Sequence, residues 1–417
     1  MELSFFTVSI VLTIIWGLAY IKLKNHLVTS KGYFFLLLLM ALAGIVLPLN
    51  RYLDLGYDPI FSLSNTILFA FLLLSALYPW LVFDKGIKGI NQFIVKPIFY
   101  SYLRTAAIIM ILLSVYAMAY TLPYAIIGYT MGAGEVRAYI LDESILPASP
   151  LTTIAVGVGF LAPLYIVMFF LCLITPALKK YSAWMFIASL AYLVTSAPAQ
   201  ARDGFIMIPL TYYFVYRVFR NSLNTDAIRK LKKLIRVFIP IGLLFLLIIT
   251  IDRFYKGSYE SLNPIESMIA GTWGYFYQQP YVFDETIQHQ VYFHGISHRF
   301  PLLGQIMNLP PSTNHILDFK FEWMFGTMYA SFYSATGWPS LIIASLFFML
   351  SWAIVLRTHL RKHNYLGLLV VFSLYLYFLI SGLFYLRLSA VSVTITYLVI
   401  IALSFFLNNI IITVKND

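Results

Sequence analysis

The sequence predicts an all-α polytopic membrane protein with about 11 transmembrane helices. Three observations carry this expectation. Of 417 residues, 61% are hydrophobic and only 11% are charged, where soluble domains carry about 25% charge. Apolar runs recur along the whole chain, near the roughly 20 residues that cross a hydrocarbon core of about 30 Å. The runs also lack the period-two alternation of a transmembrane β-barrel.

The runs fall at 2–20, 33–50, 60–83, 105–122, 150–175, 181–198, 204–219, 234–251, 327–356, 365–385 and 390–412. The first is expected to remain as a span rather than act as a cleaved signal peptide. Glu2 precedes it, while Lys22, Lys24 and Lys31 follow it, the reverse of a basic leading region. Basic residues mark the cytoplasmic side, so the N-terminus is expected outside. Threading the chain from that start leaves Arg51, Arg137, Arg202, Arg253, Lys256, Arg299, Lys320 and Arg387 outside, and the other 20 of the 28 Lys and Arg residues inside. The net charge of +11 is then mostly topological. The cluster at 217–236 reads as a basic cytoplasmic loop and not as a nucleic-acid site. Acid is biased the other way, with 14 of 17 Asp and Glu residues outside and almost no ionisable residue at mid-depth. Proton- or voltage-driven machines need such residues near the middle, so chemistry or binding is expected at the outer face. The single cysteine, Cys172, lies within a span and excludes an intrachain disulfide. No internal repeat of the transporter kind is visible.

The chain is expected to form one integral membrane domain over 1–417, with two extracytoplasmic loops. Residues 123–149 hold Glu135, Arg137, Asp142 and Glu143 and suit a short interfacial helix. Residues 252–326 are long enough to be functional, and their stretch "AGTWGYFYQQPYVF" (270–283) is aromatic, as segments lying at a membrane interface are. In the run 327–356, Gly337 and Pro339 are expected to break or kink the helix. The aromatic part Tyr329 to Trp338 then either lines a cavity or forms an interfacial belt.

Within "SAPAQARDGFIMIPL" (196–210), Arg202 and Asp203 sit side by side between two short apolar runs. Tyr181 to Ser196 and Gly204 to Tyr216 reach only about 24 Å and 20 Å as helices, less than the hydrocarbon core. The hairpin tip is thus expected below the outer surface, where an arginine must face a polar cavity or a partner. Arg202 is expected to begin a helix, whose free N–H groups gather anions. The plainer reading is a pairing with Asp203, for which adjacent helical positions point poorly, or snorkelling to headgroups.

"SAPAQARDGFIMIPL" resembles the arginine motif opening a middle helix in O-antigen polymerases and related oligosaccharide repeat-unit polymerases. "SHRFPLLGQIMN" (297–308) resembles the arginine-bearing segment of their large periplasmic loop. "FGTMYASFYSATGWPSLIIASLFF" (325–348) is similar to the aromatic helix that follows it. The likeness covers about residues 180–360, and the O-antigen ligases share the same plan. The chain departs from the family in having 11 expected spans rather than the commoner 12.

The resemblance implies a GT-C-like membrane glycosyltransferase at the periplasmic face of the bacterial inner membrane. Undecaprenyl-pyrophosphate-linked oligosaccharides would be donor and acceptor, membrane lipid and a chain-length regulator protein would be partners, and no cofactor would be required. Arginine suits a pyrophosphate leaving group, because its planar fork stays charged and stabilises charge that grows in the transition state without a metal. Arg202 and Arg299 are the expected pyrophosphate ligands, with Arg253 and Arg387 behind them and Arg51 as an ordinary interfacial arginine. The acceptor hydroxyl needs a base within hydrogen-bond reach. His298, His315 and Asp203 are the candidates, and Asp318 and Glu322 remain possible choices; a pre-helix histidine in the ligases favours His315. His289, His294 and His298 do not complete a metal motif, so no metal is expected. Nucleophile, Walker and dinucleotide motifs are absent, and "MGAGEV" (131–136) reads as a turn. The alternatives are an O-antigen ligase transferring glycan to the lipid A core, and a lipid-linked oligosaccharide flippase or exporter. The latter calls for mid-membrane charge and two similar halves.

Overall fold

Apolar runs this long have one way to satisfy their backbone out of water, by intrasegment hydrogen bonding. The computed structural model accordingly carries helix in every one of these runs. It describes residues 2–46, 60–88, 90–131, 136, 145–199, 203–255, 277–289, 293–310, 327–353, 366–384, 386, 388, 390–407 and 411–415. Among the described residues, four helical stretches are long and apolar enough to cross a membrane: Phe5–Leu23, Leu63–Ile87, Pro97–Met131 and Pro176–Ala199. The pair Pro150–Gly159 and Ala162–Ile174, bent by 49°, makes a fifth if it is one broken span. Lys31–Val46, Trp338–Leu350, Gly367–Gly382 and Val391–Ser404 are shorter apolar helices of 10–17 residues, which reach only about 15–26 Å. The helical, membrane-embedded class therefore holds, while a count of 11 crossings does not follow from helix length.

The chain divides into two compact units. One comprises Met1–Lys88, Ile269–Thr358 and Phe378–Thr394, the other Gly89–Met268, His359–Tyr377 and Ile395–Asp417. In the first, Glu2–Ser4 pairs antiparallel with Ile60–Ser62, Leu3 facing Phe61. The Leu63–Ile87 helix buries Phe69, Leu73, Leu77, Trp80 and Phe83. Its last turn holds Asp84, which is fully buried. Its Oδ2 accepts from the Val28 and Ser30 amides at 2.9 and 3.0 Å and from the Ser30 hydroxyl. Its Oδ1 accepts from the Thr29 amide at 2.9 Å and the Thr29 hydroxyl at 2.5 Å. Trp80 Nε1 donates to the same Thr29 hydroxyl at 2.7 Å. A carboxylate so supplied with donors is stable without water, and it ties the loop between the first two helices to the third.

The expectation that 270–283 lies flat at an interface does not hold for its described part. Tyr277, Tyr281, Val282 and Phe283 are buried. Tyr277 packs on Phe5 at 5.3 Å, Tyr281 on Phe61 at 5.6 Å and Phe283 on Phe69 at 5.4 Å between ring centroids. Large aromatic faces gain more from protein contact than from the headgroup layer when complementary rings are at hand. The expected break at Gly337 is present. The Met328–Thr336 helix ends there with φ +77°, and Trp338–Leu346 restarts with a proline in its first turn.

In the second unit, the Tyr100–Met131 helix continues through Pro123. The first nine positions of the expected 123–149 loop thus belong to the span helix and not to a separate interfacial one. Ser149 caps the next helix, its hydroxyl accepting from the Thr152 amide at 3.1 Å and meeting Tyr120 at 3.2 Å. The strand Ile90–Val95 pairs antiparallel with Ile411–Lys415.

Candidate functional site

Of the residues singled out in the sequence, Arg51, Arg202, Arg387, His315, Asp318, Glu322 and the side chain of Arg253 lie outside the described residues. Asp203 belongs to the second unit, His298 and Arg299 to the first.

Asp203 is a helix cap. The helix begins at Gly204 rather than at Arg202. Asp203 Oδ1 accepts from the Gly204 amide at 2.9 Å, and its carbonyl accepts from Ile206 and Met207. Oδ2 accepts from the Tyr192 hydroxyl at 2.7 Å. The helix end expected to collect external anions is therefore already covered by a carboxylate of its own. The helical leg that precedes Asp203 is also longer than its apolar run. Ala197–Ala199 and Pro176–Tyr181 form tighter 3-10 turns at the two ends of the preceding leg, so that it runs 24 residues from Pro176 to Ala199, enough for the hydrocarbon core at about 1.5 Å per residue. Gly128 lets that turn come close: a Cβ there would lie 2.5 Å from the Pro198 carbonyl oxygen.

Arg299 sits in a segment that closes the end of the Met328–Thr336 helix. The amides of His294 and Gly295 donate to the Ser334 and Ala335 carbonyls, both at 2.9 Å, and so satisfy acceptors that a helix terminus leaves open. Gly295 has φ +81°, a conformation a side chain resists. Arg299 Nε donates to the Ser334 hydroxyl at 2.7 Å, while that hydroxyl donates to the Ser331 carbonyl at 3.0 Å. The guanidinium plane is thereby fixed, half-buried, at the negative end of a helix dipole. Phe300 stacks on Phe332 at 5.6 Å, and Phe293 meets Tyr333 edge-on at 5.8 Å, so rings on both sides seat the segment. The His298 ring lies beside buried His294, centroids 4.9 Å apart.

The Gln279–His289 helix packs on the same Met328–Thr336 helix. Along one of its faces, at i, i+4 and i+8, stand Tyr281, Glu285 and His289. The Tyr281 hydroxyl donates to Glu285. Glu285 Oε2 lies 3.5 Å from His289 Nε2, with the glutamate side chain 12% exposed and the histidine 56%. Burial raises the Glu285 carboxyl above its ordinary range, and His289, Tyr281 and the neighbouring Asp284 modify that effect. Asp284 is also raised by burial, against hydrogen bonds from Asn65, the Ser62 amide and Gln288. The i, i+4 spacing of this acid–imidazole pair is legible in the sequence, where His289 enters only as a possible metal ligand. Among the described residues no group of three His, Cys, Asp or Glu side chains stands close enough to hold a metal ion. Compared with protein-family models, curated proteins and solved structures, the chain matches none.

Proposed function

We propose that the protein is a membrane glycosyltransferase that polymerises undecaprenyl-pyrophosphate-linked oligosaccharide repeat units. It works at the periplasmic face of the bacterial inner membrane, on a scaffold of 11 spans. The observation that carries this reading is Arg299: a guanidinium whose Nε donates to Ser334, in an aromatic-walled segment that the charge pattern of the sequence leads one to expect outside. A donor's glycosidic bond to pyrophosphate breaks as the acceptor hydroxyl oxygen attacks the anomeric carbon. The bonding pair leaves on the pyrophosphate, and the hydroxyl proton passes to a base. Arg299 stabilises the charge growing on the leaving group, and a fork already oriented costs little reorganisation at that moment; Arg202 is the second arginine that the sequence offers for this role.

The test uses purified protein in nanodiscs, a lipid-pyrophosphate-linked repeat unit, and EDTA throughout. A ladder of products is expected from the wild type. Arg299→Lys and Arg202→Lys keep the charge but lose the fork, and each is expected to cut turnover by about 100-fold or more with normal expression. Near-normal polymer length from either variant removes that arginine from the pyrophosphate site. Absence of any ladder beside an active control enzyme overturns the polymerase reading and turns attention to transfer onto lipid A core.

A further inference from the structure

We infer that His289, oriented by Glu285, is the general base that takes the acceptor hydroxyl's proton; the inference rests on the glycosyl-transfer reading. His298, the candidate beside Arg299, and His315, favoured by the resemblance, are not needed for this role.

The physical case is the gradient of exposure along one helix face. Tyr281 is fully buried, Glu285 is nearly so, and His289 opens to solvent. A surface ion pair formed only for solubility has both partners in water and contributes little. Here the carboxylate is anchored from below by a buried hydroxyl and has the imidazole as its partner above. With Nε2 facing the carboxylate at 3.5 Å, the imidazole has Nδ1 as the nitrogen left to accept a proton. His289 also lies in the last helical turn, at the exposed end of that face. Its helix and the Arg299 segment both rest on the Met328–Thr336 helix, so base and leaving-group ligand share one support. In the step itself, the hydroxyl proton moves to His289, the oxygen bonds to the anomeric carbon, and the bond to pyrophosphate breaks. The proton then passes from the imidazolium to water.

The same nanodisc assay decides the matter, with His289→Gln, His298→Gln and Glu285→Gln compared at matched thermal stability. His289→Gln is expected to lower turnover by about 100-fold or more, with added imidazole restoring part of it. Asp284 and Glu285 are the described acidic groups that act on His289. Glu285→Gln removes the carboxylate that faces the imidazole, so kcat is expected to fall by about 10-fold with KM little changed. A merely structural Glu285 leaves kcat in place once stability is matched. A wild-type ladder retained in His289→Gln, or lost only in His298→Gln, overturns this assignment and leaves glycosyl transfer standing. No ladder from the wild type overturns both.

Discussion

Replacing Asp84 by alanine removes the acceptor for five donors at once: the Val28, Thr29 and Ser30 amides and the Thr29 and Ser30 hydroxyls. All three polar residues of the cluster, Asp84, Thr29 and Ser30, are fully buried. A buried donor left without a partner costs about 1–3 kcal/mol, reduced where the loop relaxes or water enters. A total of about 3–5 kcal/mol follows, comparable to breaking a buried charged pair. At about 2–4 °C per kcal/mol for a unit of this size, the expected loss in midpoint is on the order of 10 °C. Asp84→Asn should fall between, because its remaining carbonyl oxygen can still accept from Val28 and Ser30 while its NH2, a donor, cannot accept from Thr29. The assay is thermal unfolding in detergent, followed by tryptophan fluorescence, to which Trp80 reports directly through its bond to Thr29. An Asp84→Ala midpoint within about 2 °C of wild type would refute the claim that this carboxylate holds the helices together.

Gly337→Ala places a side chain at φ +77° with its Cβ 2.9 Å from the Phe293 ring. A cost of about 1–3 kcal/mol is expected, together with faster hydrogen exchange at His294 and Gly295, whose amides are held by the helix that ends there. Unchanged exchange across 293–300 would count against the clasp. Asp203→Asn retains a good cap, so activity within a few-fold of wild type is expected, while Asp203→Ala loses about 1–2 kcal/mol; a stable but inactive Asp203→Asn would restore the base role. Asp284 is raised by burial in the fold, so the folded state binds its proton more readily than the unfolded chain. Its contribution to stability is therefore present below the ordinary carboxylate value of 3.8 and lost as pH rises through the raised value. The wild type is expected to gain on Asp284→Asn as pH falls from neutral, in paired thermal scans; a difference that shrinks instead reverses the sign.

The break at Gly337 was legible because glycine followed by proline two residues later interrupts a helix by local chemistry alone. Arg299 was singled out as a charge in an oily chain, but its partner was not. Ser334 stands 35 positions away and carries no signal beyond being a serine in an aromatic helix. Asp203 was read as a candidate base because carboxylates serve as bases. Its capping of Gly204 follows from where the helix starts, a boundary that apolar pattern defines only to within a few residues. The burial of Tyr277, Tyr281 and Phe283 is invisible to composition for a similar reason. An aromatic run looks the same to a composition count whether lipid headgroups or other rings cover it.

By itself the sequence determined the helical membrane class, since a chain with so little charge and such long apolar runs must satisfy its backbone within each segment. It also determined the expected sidedness, because lysine and arginine are costly to carry across the bilayer. Only the tertiary structure decided which polar groups serve the fold and which form a site. Asp84 and Asp203 are both acids at helix ends, one fully buried beneath five donors and the other capping a neighbour. Tyr281, Glu285 and His289 align only because their helix buries one end of that face and exposes the other. Spacing along a helix is a local property, whereas burial and hydrogen-bond partnership depend on residues distant in the chain.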